Sequence, residues 1–170
     1  GATAVVTRVA LETGTFAAGT AAGRLIFASD TGTFQAENLD VGANLNVATI
    51  AGDSSAITLL PSGRYEVIKE NFGGAANTKR AYGVDRVNRG WEFDGTVFVP
   101  IATGMTADAP THVAAHKKHL FFSFGGSVQH SGTGTPYIWT VITGAAEVGM
   151  GDTVTGCKGQ PGSATSGARA

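Results

Sequence analysis

The sequence predicts an all-β fold of antiparallel meanders, propeller-like or sandwich, and three observations carry that prediction. Apolar residues alternate with period two in short runs, Gly-rich turn clusters bound those runs, and no apolar stripe of helical period persists. Composition agrees: the 170 residues include 25 Gly and only two Met, which favours turns and strands, because Gly is a poor helix former and Met a good one. The length suits one domain with a hydrophobic core.

Residues 5–11 (VVTRVAL) and 23–29 (GRLIFAS) read as the first strands. Asp30-Thr31-Gly32-Thr33 is expected to turn the second of them into residues 34–39 (FQAENL) as a hairpin. Residues 45–50 (LNVATI) and 56–60 (AITLL) follow as a pair around 51–55, whose short polar side chains make local turn bonds. Residues 64–69 (RYEVIK) alternate cleanly, with Tyr65 and Val67 on one face and Glu66 and Ile68 on the other. Two blocks then carry the strongest pattern. In the first, 81–84 (AYGV), 90–93 (GWEF) and 96–101 (TVFVPI) turn at Asp94-Gly95, a dipeptide suited to a tight hairpin. In the second, 111–115, 119–124 (HLFFSF), 127–130 and 137–142 (YIWTVI) turn at Gly125-Gly126. Each block offers about four short strands, the size of one propeller blade. A β-rich structural domain is assigned to residues 1–155, and a tail to 156–170 (GCKGQPGSATSGARA), which has no aromatic or large aliphatic residue to bury.

Charge and cysteine content narrow the function classes. Twelve basic and 13 acidic side chains leave a formal charge of -1, so no global field draws the chain to nucleic acid or to an anionic membrane. The single cysteine, Cys157, has no internal disulfide partner and cannot by itself supply the roughly four ligands of a zinc site. No run approaches the roughly 18 apolar residues of a membrane span.

Three clusters invite a chemical reading. His112, His116 and His119 would share one face of a helix at a spacing that suits zinc. The strand pattern removes that geometry: His112 and His116 then share a face, His119 is expected to point away, and Lys117 and Lys118 oppose a dication. Surface or turn histidines are the expectation, and no metal. Asp85, Glu92 and Asp94 could supply an acid and a base for glycoside cleavage. Asp94 precedes a turn Gly, however, and Glu92 alternates with Trp91 and Phe93, which reads as a turn former and a solvent-facing strand residue. No G-x-S-x-G elbow occurs, and the Gly-Thr run at 132–136 lacks a P-loop lysine. No catalytic residue, cofactor site or metal ligand is therefore assigned. Lys79, Arg80, Arg86 and Arg89 are interleaved with Tyr82 and Trp91, which suggests a surface for phosphate and base stacking. The neighbouring acids disfavour it. Arg, Tyr and Trp dominate protein contacts, so an interface drawn from Trp91, Tyr137, Trp139, Arg80, Arg86 and Arg89 is expected instead.

Between Arg24 and Gly156 the chain resembles a family of phage and prophage virion proteins. The stretches AAGRLIFASDTGTFQAENLDVG, AITLLPSGRYEV, KRAYGVDRVNRGWEFDGTVFVPI, APTHVAAHKKHLFFSF and GSVQHSGTGTPYIWTVITGAAEVGMGDTVTG carry the resemblance. It implies a propeller-like structural protein of the tail, similar to nozzle, hub or adaptor components, located in the virion and assembled in the bacterial host cytoplasm. It implies no catalytic residues. Family members continue past the position of Gly156, and this chain starts without Met, so an incomplete propeller is expected, completed by partners or ended by a shift of frame. The expected partners are copies of itself and other virion proteins, with no membrane and no cofactor. The alternative expectation is a module binding host-surface glycan, with Trp91, Tyr137 and Trp139 as an exposed platform.

Overall fold

The computed structural model describes residues 1–159, so the expected tail lies outside the described residues from 160 onward. Strands take 43% of the described residues and no α-helix occurs among them, which makes the protein all-β. No helix among them is long and apolar enough to cross a membrane. The twelve strands of the described residues are β1 (Thr3–Thr13), β2 (Ala22–Thr31), β3 (Asn38–Val41), β4 (Asn44–Thr49), β5 (Glu66–Glu70), β6 (Arg80–Val84), β7 (Trp91–Phe93), β8 (Phe98–Pro100), β9 (His112–His116), β10 (His119–Phe124), β11 (Ser127–His130) and β12 (Ala146–Gly149). They form two sheets of two strands, β1-β2 and β3-β4, and two of four strands, β5-β6-β7-β8 and β12-β11-β10-β9. No closed barrel or propeller forms among the described residues.

The chain divides into two compact units. The first comprises Gly1–Val9 and Leu25–Thr58. Here the expected hairpin between 23–29 and 34–39 does not form: β2 pairs with β1, and β3 pairs with β4. The tight turn is at Gly42, φ 60°, a conformation Gly adopts without penalty. Asp40 Oδ1 accepts the Asn46 amide at 2.8 Å beside a register shift between Leu39 and Val41.

The second unit comprises Ala10–Arg24 and the chain from Leu59 onward, and it holds both four-stranded sheets. The expected strand at 56–60 is absent. At Leu60 a side chain replaces the ladder: Asn88 Oδ1 accepts the Leu60 amide at 2.8 Å and its Nδ2 donates to the Leu60 carbonyl at 3.0 Å. The residues expected as a strand at 137–142 instead run irregularly into a 3-10 turn at Val141–Thr143, and β12 supplies the fourth strand.

Each four-stranded sheet is a meander of consecutive strands, and their registers correspond. In the first sheet Ile68, Tyr82, Glu92 and Val99 lie side by side across β5 to β8. In the second, Ala114, Phe121, His130 and Ala146 do the same across β9 to β12. The corner at Gly125-Gly126 forms where the sequence places it, while the one at Asp94-Gly95 extends over residues 94–97, so that the next strand begins at Phe98 and not at Thr96. Gly125 and Gly126 join Phe124 to Ser127 directly, with Gly125 at φ 56°. Asp94 Oδ1 accepts the amides of Thr96 and Val97, both at 2.8 Å, around Gly95 at φ 106°.

The core lies between these two sheets. Tyr82, Val84, Phe72 and Ile101 meet Val113, Leu120, Phe122 and Trp139. Phe72 meets Tyr82 edge-on at 4.9 Å, and Phe122 stacks on Trp139 at 5.1 Å. Each such side chain contributes about 1.5–3 kcal/mol by leaving water. The far side of the first sheet carries Trp91, whose indole lies where a side chain at Gly83 would be. Gly83→Val therefore forces the ring aside and is expected to cost about 1–3 kcal/mol. Gly95→Val meets nothing within 4 Å but is strained by φ, and about 1–3 kcal/mol is expected there too. Urea unfolding measures both; an unchanged midpoint for Gly83→Val would show that Trp91 does not rest there.

Candidate functional site

A strand residue that faces a core must be apolar or neutralised, and three carboxylates of the second unit obey the second condition. Glu92 was expected to face solvent because it alternates with Trp91 and Phe93. The alternation holds but the faces are reversed: Glu92 is 2% exposed and Phe93 37%. β6 is the reason. The Tyr82 hydroxyl donates to Glu92 Oε2 at 3.0 Å, and Arg80 Nε lies 3.7 Å from Oε1. A carboxylate with a cation and a donor opposite tolerates burial that an isolated one does not.

Glu66 shares its face with Ile68 and is likewise half-buried. Both its oxygens lie within hydrogen-bond reach of His112 Nδ1, at 2.9 and 3.1 Å. His112 was expected at the surface, yet it is 3% exposed; the carboxylate gives its ring nitrogen a partner where water is excluded. The contact ties the inner edge of one sheet to the inner edge of the other. His119 also departs from expectation. Lys117 and Lys118 form a two-residue turn at φ 46° and 65°, so His119 sits opposite His116 on the same face. Its Nδ1 and that of His130 both approach the Ser131 carbonyl, at 2.6 and 3.0 Å. Among the described residues no group of three or more His, Cys, Asp or Glu side chains is placed to hold a metal ion.

Cys157 comes close to this joint. Burial, foremost, and the negative charge of Glu66 push its thiol pKa up, against a hydrogen bond from Ser123. Cys, His and Glu are the residue types of a nucleophile, its base and an orienting acid, but the thiol's shift runs the wrong way. A reactive thiol needs its thiolate stabilised, and here the neutral thiol is favoured.

The third carboxylate, Asp85, is 1% exposed at the end of β6. It organises the loop that carries Arg86 and Arg89. Its Oδ1 accepts the amides of Val87 at 2.9 Å and Asn88 at 2.7 Å, and its Oδ2 accepts Asn88 Nδ2 at 2.6 Å. Burial is the largest single influence on its pKa and raises it, but the Asn88 side chain and the two amides together outweigh burial and hold the carboxyl below its ordinary value.

The six residues expected at an interface do not form one patch. Arg80 points to the core and holds Glu92. Arg86 is exposed at φ 71°, and Arg89 Nε lies 3.4 Å from Asp108 Oδ2. Trp91 is half-buried on the far face of the first sheet, 5.5 Å from Phe98. Trp139 is 8% exposed within the core, and Tyr137 packs against that core. The strongest apolar exposure falls outside those six residues, on Val141 at 80% and Ile142 at 95%, within the segment 137–152 that the sequence reading expects to contribute to contacts. The apolar pair was visible in the sequence, but it was read as the end of a strand. Comparison with protein families, curated proteins and solved structures finds no match.

Two outcomes check this chemistry. Alkylation of Cys157 by iodoacetamide at pH 8 is expected to be slower in the folded protein than in urea, since the raised pKa leaves less thiolate; equal rates would show an unperturbed thiol. Asp85, with its folded pKa lowered, stabilises the fold above the unfolded carboxylate range and loses that contribution as pH falls through its folded value. Asp85→Asn is expected to cost about 1–3 kcal/mol at pH 7 and to flatten the fall in stability below about pH 4, measured by unfolding across a pH series.

Proposed function

We propose that the chain is a non-enzymatic structural module of a bacteriophage virion, in the tail, acting by assembly with copies of itself and with neighbouring virion proteins. The observation that carries the assembly reading is the exposure of Val141 and Ile142, at 80% and 95%, followed by Val148 at 53% and Met150 at 56%. Large apolar side chains exposed to this degree within one short stretch are what a contact site would bury. The two consecutive-strand meanders with matching registers support a further reading of them as blades of an incomplete β-propeller. The phage and tail parts of the proposal rest on the resemblance of the five sequence stretches quoted above.

The alternative, a glycan-binding module, needs a row of exposed aromatic rings. Trp139 lies in the core, which removes one member of the expected platform and leaves Trp91 on a different face. Light scattering over a concentration series, with electron micrographs of the same samples, tests the assembly reading. The chain is expected to associate, and Val141→Asp with Ile142→Asp to weaken association about tenfold, equivalent to about 1.4 kcal/mol. A compact monomer at every concentration that binds a host-surface glycan would replace the assembly reading with the alternative.

A further inference from the structure

The matching registers give each sheet a front and a back. The second sheet packs on the first through the face bearing Val113 and Phe122. The corresponding face of the first sheet bears Val67, Gly83 and Trp91, since Gly83 pairs with Val67 and Trp91 as Phe122 pairs with Val113 and Gln129. That face looks away from the core, with Val67 at 52% and Phe93 at 37% exposed. The first sheet receives the second through the face bearing Tyr82 and Glu92. Its equivalent on the second sheet bears Phe121, Val128 and His130, half-buried, with Val148 at 53% exposed. The pair of four-stranded sheets thus carries one internal sheet-to-sheet contact and, on its two outward faces, partly exposed surfaces that correspond in register to the two halves of that contact.

We propose that a second copy of the chain docks head to tail, laying the Trp91, Phe93 and Phe98 face of its first sheet on the Phe121, Val128 and Val148 face of this chain's second sheet. The occupant is argued from the internal contact: by register, the outward face of a first sheet stands where Val113 and Phe122 stand in that contact, and a second copy carries it. Cys157 and Gly159 lie along β9 at the inner end of the open face, where Ala114 is 8% exposed. The part left open belongs to β10, β11 and β12, which correspond to β6, β7 and β8 of the docking sheet, where Trp91, Phe93 and Phe98 stand. A contact between two different patches is heterologous, so copies form a ring or an open file rather than a two-fold dimer.

The inference rests on the assembly reading, and its test separates the two. Phe93→Glu spoils the donor face and Val148→Glu the acceptor face, both at exposed positions, with circular dichroism to verify that each variant folds. Wild type is expected to pass beyond dimers in light scattering, each variant alone to be monomeric, and an equimolar mixture of the two to give a one-to-one dimer that stops there. Wild-type-like assembly of either variant would overturn the docking geometry while leaving the assembly reading in place. A mixture that stays monomeric would overturn the head-to-tail arrangement. A monomeric wild type at all concentrations would overturn both.

Discussion

A charged group on the inner face of a sheet must meet its counterpart on a neighbouring strand, and this constraint orders the second unit. Glu92 is buried because Arg80 and Tyr82 stand on the next strand. Glu66 is tolerated because His112 reaches it from the other sheet. Neither bond adds much net stability, since desolvation offsets most of the attraction. Their effect is on uniqueness. A one-residue slip of β6 against β7 would put Trp91 and Phe93 into the core and leave Glu92 in water, but it would also face Arg80 and Tyr82 away from their carboxylate. The apolar core alone does not distinguish registers so sharply, because Leu120, Phe122 and Val113 would accept many apolar neighbours.

The period of two and the turn residues were enough to read the class of the fold, and they placed the meanders, the corner at Gly125-Gly126 and the start of the corner at Asp94. Chain pairing was less legible. The turn chemistry of Asp30 to Thr33 is real at the level of residue type, yet β2 found its partner in β1. Turn propensity is a local preference of a few kcal/mol at most, whereas a ladder of cross-strand pairs sums many small terms. The run at 56–60 has the apolar content of a strand, but at Leu60 the bonding is satisfied by one asparagine side chain instead of a neighbouring strand.

The candidate site was misread wherever burial depended on a partner distant in sequence. His112 and Glu66 are separated by 46 residues, so no local spacing announces the pair; only the placement of Glu66 with Ile68 on one face of a strand hinted that a carboxylate pointed inward. Glu92 was assigned to solvent because charge usually seeks water. The sequence did contain the correcting signal: Gly83, opposite Trp91, leaves a trough on the outer face that a large ring can fill without entering the core. His119 was placed on the wrong face because a straight strand was assumed through Lys117 and Lys118, and two lysines at positive φ are an uncommon turn.

The two four-stranded sheets show why their likeness is one of pattern and not of identity. At one cross-strand pair the first sheet has Gly83 beside Trp91, and the second has Phe122 beside Gln129. A large ring occupies the pair in both, but it comes from β7 in one and from β10 in the other. In the first sheet the ring lies on the outward face, with glycine beneath it; in the second the ring enters the core and stacks on Trp139. On the opposite faces Tyr82 corresponds to Phe121 and Glu92 to His130. The hydroxyl that serves a buried carboxylate is absent where no carboxylate needs it, and the position of that carboxylate is taken by a half-buried imidazole bonded to the Ser131 carbonyl. Equivalent backbone positions thus carry side chains chosen by what each face meets. The face of the first sheet that meets a neighbour within the chain sets Tyr82 and Arg80 against Glu92, and the corresponding face of the second carries rings and Val128 at the water boundary.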